Sequence, residues 1–394
     1  MTTSHVTART EQQLNAHSFA IDGDVDLIDL VDPDGFAWID GDCGFVASGV
    51  AAVVPPERAT AFVASIAHWA DPAVIPATAG PRAVGALPFR GTGELVVPAR
   101  IVGRAEDGRA WQTVIDAVDV PPVVLSSDGA ALPSTFAVAS TTTRAQWRAS
   151  VEHVLDAITC GALEKVVLAR AVTVDADHPF DIRAALAHLW HSQPGCVVYA
   201  DRGCLGASPE LLVRKTGTSV TSRPLAGTGV DTETLLRSHK DAREHALVVE
   251  AVLDALRRSC TDVSASGPAP VRLADISHLA TTVTARTRSA SVSVADLVAD
   301  LHPTPAVGGT PRAAALAMID ALEPASRGRY AGPCGWIDSN GDGEFVVALR
   351  GGQIDGTRAV LHAGAGIVAG SDPDLEWVET QQKLTPMLQA LVRP

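Results

Sequence analysis

From about residue 16 to residue 135 the chain is a series of short apolar runs cut by Gly, Pro and Asp turns, and this punctuation limits the fold more than any other feature. Phe36-Ala-Trp-Ile, Gly44-Phe-Val-Ala-Ser, Glu94-Leu-Val-Val-Pro and Pro121-Pro-Val-Val-Leu are too short to bury a helical face, and turn formers bound them. The segment reads as antiparallel sheet with one helix over Arg58–Trp69, behind a polar, frayed N-terminus at 1–15. Strands further on also come in pairs: Cys196–Asp201 with Cys204–Ser208 across Arg202-Gly203, and Phe345–Leu349 with Arg358–His362. Lys165–Val174 and Ile276–Arg286 read as further strands. Helices are expected over Thr142–Gly161, Ile182–His191 and Leu235–Arg258. Hairpins without regular strand–helix alternation predict an α+β fold, with large antiparallel sheets as a central core and helices packed outside. No Gly/Ser or Pro linker divides the chain, so a single domain over 1–394 is expected.

Composition narrows the function classes. The net charge of −14 makes the chain a poor general binder of nucleic acid or anionic membrane, so an anionic substrate needs local positive charge or a bridging metal. The six cysteines are scattered with no Cys-x-x-Cys pair, which argues against a zinc site or a disulfide framework. Apolar runs are broken by charge before reaching spanning length, and Met1-Thr-Thr-Ser-His shows no secretory pattern. The expectation is a soluble cytoplasmic protein, monomeric, without nucleic-acid or membrane partners.

Two apparent motifs carry less than they promise. Asp338-Ser-Asn340-Gly-Asp342-Gly343 matches the opening of a calcium loop, yet the twelfth position is Leu349, where a bidentate Glu is required. A hairpin turn explains it better, and a calcium-binding module remains the non-enzymatic alternative. Gly364-Ala-Gly366-Ile-Val-Ala-Gly370 resembles a dinucleotide loop, but only 24 residues follow it, too few for the rest of a nucleotide-binding unit.

Other residues can carry chemistry. Lys165 shares a strand face with Val167 and Ala169, so it either points inward as a general base or snorkels at a strand edge. Glu210, between Pro209 and an apolar run, is either a partly buried general acid or an edge-strand carboxylate. Asp241 and Glu244 stand one helical turn apart. Glu376, Glu379 and Lys383 share one stripe of a C-terminal helix opened by Ser371-Asp-Pro. Each acidic pair alone reads as solvated surface; two pairs on separate elements could share Mg²⁺. Arg350, before Gly351-Gly352, is a natural carboxylate partner, and Tyr330 lies in Gly328-Arg-Tyr-Ala-Gly332. His278 alone reads as a half-buried, satisfied histidine.

As a set these blocks resemble the chorismate-utilising enzymes: isochorismate synthases, salicylate synthases and the large subunits of anthranilate and aminodeoxychorismate synthases. The matching segments are Lys165–Arg170, Ala207-Ser-Pro-Glu210, Arg223–Thr228, Lys240–His245, His278-Leu, His302–Gly309, Tyr330-Ala-Gly, Ala363–Ile367 and Glu376–Lys383, in family order across 140–392. Residues 16–135 show no comparable match and form a variable, sheet-rich part.

The resemblance implies a chorismate-binding-enzyme fold and a Mg²⁺ cofactor held by Glu244 and Glu379, with Glu376 direct or through water. It implies that the ion, Lys383 and the Gly227-Thr228 turn hold the ring carboxylate of chorismate. Arg350, Tyr330 and the amides near Gly364 would take the enolpyruvyl carboxylate. Lys165 would activate water for attack at C2, and Glu210 would protonate the departing C4 hydroxyl. Asp241 would sit close to that hydroxyl, with His278 near the ring. Members that go on to eliminate pyruvate typically carry Thr where this chain has Ala306. Ala306-Val307 is similar to the isochorismate synthase pattern of Ala then Leu, with Val as the departure; Ala169 replaces a Ser common in relatives. The expectation is an isochorismate synthase opening a siderophore or menaquinone pathway, without a glutaminase subunit, and the alternative is a salicylate synthase.

Overall fold

A computed structural model describes residues 14–70, 79–116, 132–229, 231–273 and 276–393. Its helices are α1 (Pro56–Ala64), α2 (Arg144–Thr159), α3 (Ile182–Ser192), α4 (Thr232–Arg237), α5 (His239–Ser259), α6 (Val294–Leu301), α7 (Arg312–Leu322) and α8 (Pro373–Val392). Strands dominate the rest. One sheet has 13 strands, a second has nine, and a small third has three. Apart from the parallel pairing of Asn15–Ile21 with Ala67–Ala70, the described pairings in these sheets are antiparallel. The architecture is α+β, as expected.

The backbone of the large sheet is Lys165–Ala176 against Arg358–Val368, in register from Lys165 opposite Val368 to Asp175 opposite Arg358. Strands from the motif-poor part continue the same sheet, since Phe36–Asp40 pairs with Val197–Asp201. Trp147 of α2, Val166, Leu168 and Ile367 are buried in the largest apolar cluster. A second cluster packs α3 and α8 further along the same face of this strand pair, through Leu186, Leu189, Leu384 and Met387 against Val172 and Leu361. Fully burying such side chains contributes about 1.5–3 kcal/mol each.

Local chemistry sets the helix ends. Thr143 and Gln146 form a reciprocal capping box on α2, and Trp147 donates its indole N–H to Pro373 O, docking α2 on the start of α8. Asp372 caps α8 through the amides of Asp374 and Leu375.

Two places where the chain changes sheets position the site. It leaves the large sheet at Ser208 and enters the nine-stranded sheet at Leu211; the reverse step runs from Val347 to Gly351. Ser208 Oγ donates to Val347 O at 2.6 Å, and Val347 N donates to Glu210 O at 3.1 Å, so the two crossings lie side by side. Glu210 and Arg350 are mounted on them.

Several sequence expectations are corrected. The Arg58–Trp69 helix stops at Ala64, because Ala67–Ala70 is recruited as an edge strand beside Asn15–Ile21. Leu235–Arg258 is two helices: Ser238 breaks the run by turning its hydroxyl to the Asp241 amide as the cap of α5. Ile276–Arg286 is two strands, Ile276–Ala280 in the small sheet and Val283–Thr287 in the nine-stranded one. Phe345–Leu349 and Arg358–His362 are not a hairpin; Gly343–Val347 belongs to the nine-stranded sheet, and Arg358–Val368 turns back on Gly351–Asp355. The expected 196–208 hairpin is present, with its register intact. The Pro121–Leu125 run and residues 1–13 lie outside the described residues.

Asp338–Gly343 is a hairpin turn. Among the described residues no helix is long and apolar enough to cross a membrane. All six cysteines are free thiols.

Candidate active site

Beside the two crossings lies a cleft with about 710 Å³ of empty space, its open mouth included. Ten of the residues singled out in the sequence line it: Glu210, Gly227, Thr228, Glu244, His278, Ala306, Tyr330, Arg350, Gly364 and Lys383. Lys165 and Glu379 do not line it but pair with the lining residues Glu244 and Lys383; Asp241 and Glu376 lie outside the lining as well.

Lys165 opens the central strand and is fully buried, as strand alternation allows. Its Nζ lies 2.9 Å from Glu244 Oε1. Gly366, on the neighbouring strand, makes room for the pair, because a Cβ there would fall 2.3 Å from Glu244 Oε1 and 3.0 Å from Lys165 Cε. Burial works against the Glu244 charge, but Lys165, with Lys383 and Lys240 further off, outweighs it and holds the carboxylate below its ordinary range.

Glu210 behaves in the opposite way. Burial pushes its carboxyl up to about 8, against the opposing pull of Lys165, the Leu225 amide and Lys383. At neutral pH it is therefore a protonated acid, able to donate. Two carboxyl groups in one cleft are thus held in different protonation states by their surroundings.

His278 joins two sides of the cleft. Arg350 Nη2 donates to His278 Nε2 at 2.9 Å. A guanidinium only donates, so Nε2 accepts and Nδ1 carries the proton, directed at Gly227 O, 3.2 Å away, beside Thr228 Oγ1. Burial and the Arg350 charge keep the ring neutral, well below its ordinary pKa. Arg350, on the sheet crossing, sits at φ +51°, a conformation that L-residues rarely adopt. Tyr330 stacks on His362 with centroids 5.2 Å apart, and its hydroxyl would lie 3.3 Å from a Cβ on Gly364.

Gly227, at φ +75°, lets the small-sheet strand approach α5; a Cβ there would lie 3.0 Å from the Asp241 Cβ. Asp241 is raised by burial, opposed by the Ser238 hydrogen bond and reinforced by Glu244.

The three glutamates expected to hold a metal each face a lysine. Glu244 pairs with Lys165; Glu376 accepts from Lys240 Nζ at 2.6 Å; Glu379 accepts from Lys383 Nζ at 2.7 Å. Lys383 also donates to Gly364 O at 3.0 Å, tying α8 to the central sheet. As they stand, no three His, Cys, Asp or Glu side chains among the described residues are gathered for a metal ion. The donor set nevertheless suits a hard divalent cation: it is all carboxylate, and Glu376 is raised by burial and by its neighbour Glu379, a repulsion that a cation relieves.

Two contributors escaped the sequence reading. Lys240 is one; its i,i+4 spacing to Glu244 was the available signal. The other is the buried Arg327–Glu323 pair. Arg327 grips Glu323 with two hydrogen bonds and donates to Val307 O and Val167 O, both at 2.7 Å. It thereby fixes the Ala306-Val307 wall to the strand that carries Lys165.

The family model described as chorismate binding enzyme matches residues 120–392. Isochorismate synthase MenF of Bacillus subtilis is 40% identical over 260 residues, which are 62% of this chain and 55% of that protein. Isochorismate synthase DhbC of the same organism is 38% identical over 267 residues, 62% of this chain and 67% of that protein. The structure of MenF, the menaquinone-specific isochorismate synthase from Escherichia coli, superposes with a TM-score of 0.82 at 25% identity, covering 96% of this chain and 95% of that one.

Proposed function

Since the chain belongs to the chorismate-binding enzyme family, we propose that it is an isochorismate synthase, an isomerase that converts chorismate to isochorismate. The observation that carries the reading is the split protonation inside one cleft: Glu210 held as a buried acid, Glu244 held as a carboxylate against buried Lys165.

In its unprotonated form Lys165 takes a proton from the water that attacks C2, the ring double bond shifts, and Glu210 gives its proton to the C4 oxygen, which leaves as water. One water enters and one departs, so the product is an isomer of the substrate. The buried, hydrogen-bonded wall of Arg350, His278 and Gly227-Thr228 holds the ring for this opposite-face exchange. Arg350 and Tyr330, with the Gly364 backbone, take the enolpyruvyl carboxylate, and Lys383 with Thr228 takes the ring carboxylate. Glu244 and Glu379 would hold Mg²⁺, with Glu376 direct or through water. Bound Mg²⁺ supplies a point charge that neutralises the ring carboxylate in an otherwise acidic setting. The product serves a siderophore or menaquinone pathway.

Mixing the protein with chorismate and Mg²⁺ and separating the products by chromatography tests the reading. Isochorismate without pyruvate is expected. Salicylate with stoichiometric pyruvate would establish the lyase alternative, and unchanged chorismate would overturn both.

A further inference from the structure

Three carboxylates and three lysines face each other at the back of the cleft, and the three lysines are not equivalent. Lys165 is enclosed, with 1% of its side chain exposed; Lys383 is 21% exposed and bound as well to Gly364 O. Lys240 is 34% exposed and holds a single side-chain partner, Glu376, whose own side chain is only 2% exposed. Lys240 stands at the first turn of α5, four residues before Glu244, so it bridges α5 to α8. Its ammonium is attracted by Glu376 first and then by Glu244 and Glu379, so one cation faces all three carboxylates.

We infer that Lys240 is an internal counter-cation of the acidic site: it holds Glu376 while no divalent ion is bound, and swings into solvent when Mg²⁺ takes its place. This rests on the Mg²⁺ reading given above. Glu376 and Glu379 lie one turn apart at the start of α8, and with no cation between them they would push that turn away from α5. An ammonium and a hydrated divalent ion cannot both sit among the same oxygens, because their charges repel at contact distance. Only Lys240 has both the solvent path and the lack of a second anchor needed to give way.

The test uses the intact protein. Lysines are acetylated with an N-hydroxysuccinimide ester at fixed pH, with and without saturating Mg²⁺, and each site is quantified by peptide mass spectrometry. Lys240 should label several-fold faster with Mg²⁺ while Lys165 stays protected. Equal or slower labelling of Lys240, with Mg²⁺ binding visible by calorimetry, would overturn the inference alone. Failure of the unmodified protein to bind Mg²⁺ in calorimetry would instead overturn the metal reading and the inference with it. In a second arm, Lys240→Met should bind Mg²⁺ about tenfold more tightly and show a larger Mg²⁺-induced rise in melting temperature. Weaker binding would mean that Lys240 helps hold the ion, contrary to the inference.

Discussion

Two regions of this protein look like cation sites on paper, and they differ in what their oxygens are already doing. In the Asp338–Gly343 turn, Asp338 Oδ1 accepts from the amides of Asn340 and Asp342, and Asp342 spends its two oxygens on Lys215 Nζ and the Gly217 amide. Lys215 is 3% exposed and has no route outward. In the cleft, Glu376 and Glu379 crowd one another, and one of the neutralising lysines reaches solvent. Residue type suggested a site in both places. Hydrogen-bond saturation closes the first and leaves the second open to exchange.

The comparison can be broken at several points. Glu210→Gln should reduce turnover about 10³-fold, within the usual reach of general acid catalysis, without lowering the melting temperature, because the amide is neutral like the buried acid and needs no proton uptake on folding. Near-normal rates in steady-state assays would remove Glu210 from the chemistry. Lys215→Met should leave Asp342 half-satisfied and destabilise the fold by about 3 kcal/mol, read by denaturant unfolding. Rescue of that loss by Ca²⁺ would show that the turn is a latent ion site after all.

A smaller effect comes from pH. Glu210 must carry its proton to act, and that proton is lost above about 8, so kcat/KM should fall tenfold per unit beyond that pH. The same group binds its proton more tightly folded than unfolded. Its contribution to stability is complete below the ordinary carboxylate pKa and is lost as pH rises through about 8. Glu210→Gln should flatten that part of the stability–pH curve; an unchanged slope would assign it to another group. Smallest of all, Asn340→Ala should alter stability by no more than about 0.5 kcal/mol and leave Mg²⁺-dependent turnover untouched. A loss of divalent-ion binding in that variant would move the metal to the turn.

Local periodicity made much of the site legible. Strand alternation allowed Lys165 an inward position beside the snorkelling alternative, helical spacing aligned Glu376, Glu379 and Lys383, and the same spacing put Asp241 beside Glu244. What stayed hidden was long-range. The Lys240–Glu376 bond joins residues 136 positions apart, and no local pattern announces it. Arg327 reached its partners Val167 and Val307 in the same unannounced way. The fold shows the same division: the 196–208 hairpin has a short-range turn signal, whereas Phe345–Leu349 was assigned the wrong partner because its strand ends at Val347 and the chain then changes sheets. Ser238 misled for another reason, since a serine inside a helical pattern becomes a break only when its hydroxyl finds the Asp241 amide.

The paired crossings have a mechanical consequence. Glu210 and Arg350 are not carried by one rigid sheet; each sits on a strap of two or three residues where the chain passes between sheets, and hydrogen bonds from Ser208 and Val347 lash the straps together. Shear between the sheets would therefore drag both side chains along the same path, keeping their separation while changing their distance from Lys165, whose backbone lies in the large sheet and whose ammonium pairs with Glu244 of α5. The proposed proton donor and carboxylate clamp would then travel as one jaw, with the proposed base on the other.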